Sequence, residues 1–340
     1  MTIKSDLIEA FDARVRRRED RREFLMTSAR AGVGVAGLAA LAACGDSDNG
    51  TNFGNDTGSS PAPAPPTPAP TISDADILNF ALNLEYLEAQ FYSFAATGAG
   101  LPNTLLTGTS TQGPVRGGRA VAFTDPEVRR YANEIAADER AHVAFLRAQL
   151  GTAAVAQPEV DIGVTATSAF SNAARAAGLV GAGQAFDVYA NDINFLLGAF
   201  IFEDVGVTAY KGAAPLLTSK TFLEASAGIL AVEAYHAGLI RTALYGRGVD
   251  TPSARTSTTA ISNARDSLDG GVDLDQGVVG PFAPGTNVDA NIVPTDANGI
   301  AFSRTTGQVL NIVYLNNAAV LGGGFFPGGV NGVIRTSAAN

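Results

Sequence analysis

Residues 138–146, DERAHVAFL, and residues 232–240, VEAYHAGLI, hold the only two histidines of the 340-residue sequence. Each histidine follows a glutamate by three positions: Glu139 precedes His142, and Glu233 precedes His236. With 12 glutamates among 340 residues, the doubled spacing calls for a physical cause. In an α-helix, positions i and i+3 lie within roughly 60° of one another on one face. A glutamate oxygen and an imidazole nitrogen at that spacing can reach the same inward point.

Outward from these two segments the pattern predicts four long helices. Ser73 is a candidate N-cap for a first helix whose apolar residues keep helical spacing as far as Gly98. Residues 99–124 read as a Gly/Thr/Pro-rich loop. Asp125-Pro126-Glu127 then opens a second helix, with proline at its first position, that runs to Gly151. A connection through 152–187 has room for a short helix at 168–177. The third helix, VYANDINFLLGAFIFEDVGVTAYKGAA (188–214), is strongly apolar, and Pro215 separates it from a fourth over 219–245. The expected fold class is all-α: a four-helix bundle with one long crossover between its second and third helices.

The first and third helices complete the pattern. Glu85 has Tyr92 seven residues later, and Glu203 has Tyr210 seven residues later. In chain order the residues read Glu, Glu-x-x-His, Glu, Glu-x-x-His, one helical pair written twice. On these residues the sequence resembles the ferritin-like superfamily, within it the bacterial ferritin-like domain proteins related to plant desiccation-related proteins. The resemblance covers most of residues 73–340. It implies two divalent transition-metal ions, iron or manganese, held by Glu85, Glu139, His142, Glu203, Glu233 and His236.

The donor chemistry agrees with that implication. Four carboxylates match the charge of two divalent cations and can bridge ions about 3.5–4 Å apart. Oxygen-rich ligation with one imidazole per ion suits iron or manganese better than a thiolate-preferring metal. Glu203 is the most telling ligand, because NFLLGAFIFEDVGV (194–207) leaves it inside a nearly unbroken apolar run. Asp138 stands where related bundles place a carboxylate that orients the opposite histidine, here His236; it reads equally as a surface aspartate. Glu88 is expected to be solvated or to support the ligands rather than to be one. Tyr92 and Tyr210 either bond a carboxylate, pass electrons, or serve as ordinary core tyrosines.

The N-terminus reads as an address. Arg21-Arg22-x-Phe24-Leu25 resembles the core of a twin-arginine export signal. The apolar run AGVGVAGLAALAA (31–43) that follows is shorter than the roughly 20 residues a membrane span needs. LAAC (41–44) resembles a bacterial lipobox, which makes Cys44 the lipidation site and residues 1–43 a cleaved signal. A plain cleavage site with an incidental Cys44 is the alternative. Residues 44–72, rich in Gly/Ser/Asn and then Pro/Ala, form a tether. The expected location is the periplasm or cell envelope, with membrane attachment by the lipid alone.

Composition narrows the function classes. Net charge is −10, and residues 1–43 carry 8 of the 23 basic side chains. The remainder offers no basic patch for a nucleic acid, and a single cysteine precludes an internal disulfide or thiolate metal cluster. Residues 73–247 are assigned to the bundle and 248–340 to an irregular C-terminal extension packed on it, with short helices within TSTTAISNARDSLDGG (256–271) and SRTTGQVLNIVYLNN (303–317). GGGFFPGG (322–329) lacks the Lys-Ser/Thr ending and following helix of a phosphate loop. The leading functional expectation is oxidase, peroxidase or catalase chemistry with dioxygen or peroxide in stress protection. Iron storage and a stress-related structural role with a vestigial site stay open. The tether and extension argue against a closed storage shell, though not against a smaller oligomer.

Overall fold

Local chemistry sets where each helix begins and ends. In the computed structural model, which describes residues 72–280 and 289–340, α1 spans Asp74–Thr97. The Ser73 hydroxyl accepts the Asp76 N–H while the Asp76 carboxylate accepts the Ser73 N–H, a reciprocal cap. Gly98 ends the helix at φ 79°, a left-handed conformation that glycine adopts without Cβ strain. Helix α2, Pro126–Leu150, is capped by Asp125 through the Glu127 N–H. A short α3, Ala169–Ala176, lies in the crossover. Helix α4, Asp192–Ala213, begins only after Asn191, whose side chain accepts the Asn194 N–H. Residues 188–190, expected to be helical, are therefore part of the approach to that cap. Helix α5 spans Lys220–Arg247 behind the Ser219 cap, and α6, Ser253–Asp269, and α7, Thr306–Tyr314, belong to the extension.

The four long helices form two pairs. Helix α1 packs chiefly on α2, and α4 on α5. The pairs meet so that the inward faces of all four enclose one point. Helix α4 is apolar enough to resemble a membrane span, yet most of its length is buried within the protein, as suits a core helix. Two three-residue strands tie the long loops together: β1, Val115–Gly117, runs parallel to β2, Val160–Ile162, with Val115 opposite Val160. Such short strands carry too little pattern to be legible in the sequence.

The extension is fastened to the bundle by buried charge. Arg241 of α5 stands 2.7 Å from Asp204 of α4, which also meets Arg265 of α6 at 3.1 Å. Arg265 continues to Asp275 at 3.0 Å, and Arg304 joins Asp275 and Asp269 at 2.5 Å each. All six side chains are buried, and Arg241 also donates to the carbonyls of Gln276, Gly277, Asn291 and Ile292. Buried ions are tolerated when each is paired, as all six are here. Arg265, Asp269, Asp275 and Arg304 of the extension are thus buried against the bundle.

Candidate metal centre

The doubled helix pair brings all six expected ligands to the bundle core. Glu85, Glu139, Glu203 and Glu233 are at most 1% exposed, and both histidines are buried. Glu139 lies between the histidines: its Oε2 is 3.6 Å from His142 Nδ1 and its Oε1 is 3.1 Å from His236 Nδ1. His142 Nδ1 also stands 3.2 Å from Glu85 Oε2 and 3.8 Å from Glu233 Oε1. Across the centre, His236 Nδ1 is 3.6 Å from Glu203 Oε2. The imidazole rings are 6.3 Å apart between centroids.

One potential ligand atom from each of Glu85, Glu139, His142 and Glu233 lies within 4.8 Å of the others. More telling is what these atoms lack. Eight inward-facing buried atoms of the six residues have no hydrogen-bond partner among the described residues: Glu85 Oε2, both oxygens of Glu139 and of Glu233, Glu203 Oε2, and Nδ1 of each histidine. An unsatisfied buried polar atom costs about 1–3 kcal/mol. Several of these atoms face one another at 3.1–3.8 Å, so protons shared among them offset part of that cost in the metal-free fold. The donor set, oxygens and imidazoles turned on one point, fits a metal ion.

Neighbouring residues hold these donors in place. The Tyr210 hydroxyl donates to Glu85 Oε1, and the Tyr92 hydroxyl to Glu203 Oε1. Each tyrosine serves the glutamate of the opposite helix pair, so it fixes the one oxygen and leaves the other facing inward. Asp138, although its side chain is 44% exposed, places Oδ2 3.2 Å from His236 Nε2. A proton held there would leave Nδ1 to turn its lone pair on the centre once a metal has displaced the Nδ1 proton. The matching position in the second pair is Val232, so His142 has no equivalent support. Glu88 is buried, contrary to the solvated alternative, and makes no hydrogen bond to a described residue.

Charge is balanced by proton sharing. Burial, with the nearby Glu139 carboxylate, raises Glu85 to about 7. Burial likewise raises Glu203 to about 8, against the pull of His236. Burial opposes ionisation of Glu139 too, but the two imidazoles outweigh it and lower that group to about 2. For the histidines burial disfavours the cation, yet the facing glutamates raise His142 to about 11 and His236 to about 9. Glu88 and Glu233 are raised well above the ordinary carboxylate range, first by burial and then by the surrounding carboxylates. Cations are what this collection of acids attracts.

Residues 73–246 match the family model of the ferritin-like domain. The chain belongs to the ferritin-like family. It is 34% identical over 245 residues to desiccation-related protein PCC13-62 of Craterostigma plantagineum, covering 70% of this chain and 76% of that protein. It is 29% identical over 269 residues to ferritin-like catalase Nec2 of Nesocodon mauritianus, covering 77% and 85% respectively. No solved structure matches.

Two features of this ferritin-like centre were not anticipated. Gly206 of α4 faces Glu233: a Cβ built there would stand 2.2 Å from Glu233 Oε2, so only glycine leaves that carboxylate its place. The second is Asp204, the residue after Glu203, which anchors the buried arginine network. Phe200 turns away from the centre toward Arg241 and Arg265, whose guanidinium carbons lie 5.4 and 4.8 Å from its ring centroid.

Proposed function

We propose that this protein is an exported di-metal carboxylate protein, holding two iron or manganese ions, that consumes peroxide or dioxygen in stress protection. The observation that carries this reading is the set of eight unpaired donor atoms on Glu85, Glu139, His142, Glu203, Glu233 and His236. Glu139, with one oxygen toward each histidine, would be among the residues that hold the ions. Two redox-active ions held there supply reversible electron storage, which the side chains lack.

The chain's own residues define what can react. Tyr92 and Tyr210 immobilise one oxygen each of Glu203 and Glu85. Phe91, Phe195 and Phe202 form an aromatic wall on the α1–α4 side, which keeps bulk water scarce and favours a small uncharged reactant. The similarity to a protein named a catalase favours peroxide removal. Export and lipid anchoring rest on Arg21, Arg22 and Cys44, which lie outside the described residues. The test is hydrogen peroxide consumption by the reconstituted protein against free metal at equal concentration. The protein should be faster, and replacing both His142 and His236 by Ala should return the rate to that of free metal. Equal rates for all three would refute the reading.

A further inference from the structure

Helices α1 and α4 exchange a matched pair of hydrogen bonds at the metal centre. Tyr92 of α1 donates to Glu203 Oε1 of α4, and Tyr210 of α4 donates to Glu85 Oε1 of α1. Glu85 meeting Tyr210 while Tyr92 meets Glu203 requires the two helices to run in opposite directions. Seven residues, about two helical turns, separate glutamate from tyrosine on each helix, so both groups share its inward face. In each case an O–H takes one oxygen of a carboxylate whose other oxygen, Oε2, has no hydrogen-bond partner among the described residues. Those Oε2 atoms stand 3.2 Å from His142 Nδ1 and 3.6 Å from His236 Nδ1.

The phenols have little freedom to let go of those oxygens. Both tyrosines are buried, and neither hydroxyl makes another hydrogen bond among the described residues. An O–H left unpaired in such a place is costly. The ring centroids of Phe91 and Phe195 lie 5.0 and 5.9 Å from that of Tyr92, and Tyr210 packs in an apolar cluster with Leu82 and Ile229. A phenylalanine at either position would fill the same space and require no hydrogen bond, so packing alone does not account for the hydroxyls.

We propose that Tyr92 and Tyr210 are positioning residues that restrict Glu203 and Glu85 to one-oxygen ligation, which keeps a coordination position open on each ion for the reactant. The proposal rests on the di-metal reading given above. A carboxylate that gives both oxygens to one ion occupies two coordination positions, whereas one that gives a single oxygen occupies one. With Oε1 held by a phenol, only Oε2 is left to turn on the centre. The open position is then set by hydrogen bonding, not by the number of ligands alone.

The experiment compares the full chain with its Tyr92→Phe, Tyr210→Phe double variant, each loaded with cobalt(II), whose visible absorption weakens as its coordination number rises. The freed oxygens should join the ions, so the variant should absorb less per cobalt ion at equal metal content. Iron(II)-loaded samples are titrated anaerobically with nitric oxide, an uncharged two-atom probe that binds iron(II) at an open position. The variant should bind it about tenfold more weakly, the effect of one hydrogen bond to a charged acceptor. A merely structural clasp would lower the melting temperature and move neither signal. Unchanged absorption or unchanged nitric oxide affinity in the variant would therefore overturn the assignment. Loss of metal would also overturn it, by making the tyrosines necessary for ligation itself. Tyr92→Phe and Tyr210→Phe are measured singly as well, each expected to show about half the absorption change of the pair, which keeps the assignment falsifiable if the double variant does not fold. Unmodified protein that holds no cobalt would remove the di-metal reading along with this one.

Discussion

Replacing Gly206 by alanine separates folding from metal binding in one step. The added methyl would stand 2.2 Å from Glu233 Oε2 and 3.1 Å from its Cδ, and the three nearest atoms all belong to Glu233. A contact that close cannot persist, and the far end of a flexible side chain is what gives way. Helix α4 itself gains, because alanine within a helix is favoured over glycine by about 1 kcal/mol. The metal-free protein should therefore melt unchanged or about 2–4 °C higher. The displaced carboxylate is one of the expected ligands, and disturbing a ligand through a neighbour typically costs 10–100-fold in metal affinity, about 1.4–2.7 kcal/mol. Paired thermal melts and metal titrations of Gly206→Ala measure both quantities. Affinity within about twofold of the unmodified protein would show that Glu233 does not bind metal from above Gly206. A large loss of metal-free stability would show that the carboxylate cannot move aside.

Three further outcomes follow from the same geometry. Glu85, Glu203 and His236, at about 7, 8 and 9 in the metal-free fold, all hold protons more tightly than in the unfolded chain. Their stabilising contribution is complete in mild acid and is lost as pH rises through those values, so the metal-free melting temperature should fall between about pH 5 and pH 9. Metal displaces those protons, so the loaded protein should lose this fall and instead gain stability up to about pH 7, where the unfolded histidines shed their protons; a metal-free melting temperature that does not fall would contradict the assignment. Arg304→Met would leave Asp269 and Asp275 buried without Arg304, and denaturant unfolding should register about 3–5 kcal/mol of lost stability; a loss below about 1 kcal/mol would refute the role given to this network. Replacing Arg21 and Arg22 by Lys should retain the precursor in the cytoplasm, whereas Cys44→Ser should move exported protein from the membrane to the soluble fraction; normal export of the Lys variant would refute the twin-arginine reading.

The bundle was legible because its signals are local and repeated. Ser73 and Asp125 each precede an apolar helical period, and both cap helices. The six inward donors were legible because the spacing occurs twice and uses both histidines. What escaped depends on contacts between distant segments. Tyr92 and Tyr210 share a helix with one glutamate but bond the other, 111 and 125 residues away in sequence. The Arg304–Asp275–Arg265–Asp204 chain joins the extension to α4 through charges that look solvated when read singly. Gly206 sits among apolar residues that give no sign of Glu233 above it. Asn191 moved the start of α4 from the expected residue 188 to Asp192, four residues later, because a side-chain cap competes with continued helix.

The most direct test of the metal centre is elemental analysis of the purified full chain after reconstitution and removal of loosely bound ions. Glu139 set between two histidines, its oxygens two of the eight inward-facing donors, predicts close to two iron or manganese ions per chain. The Glu203→Ala, Glu233→Ala double variant should hold few or none while its helical content is unchanged. Metal content near zero in the unmodified protein, or equal content in the double variant, would contradict the assignment of these six residues.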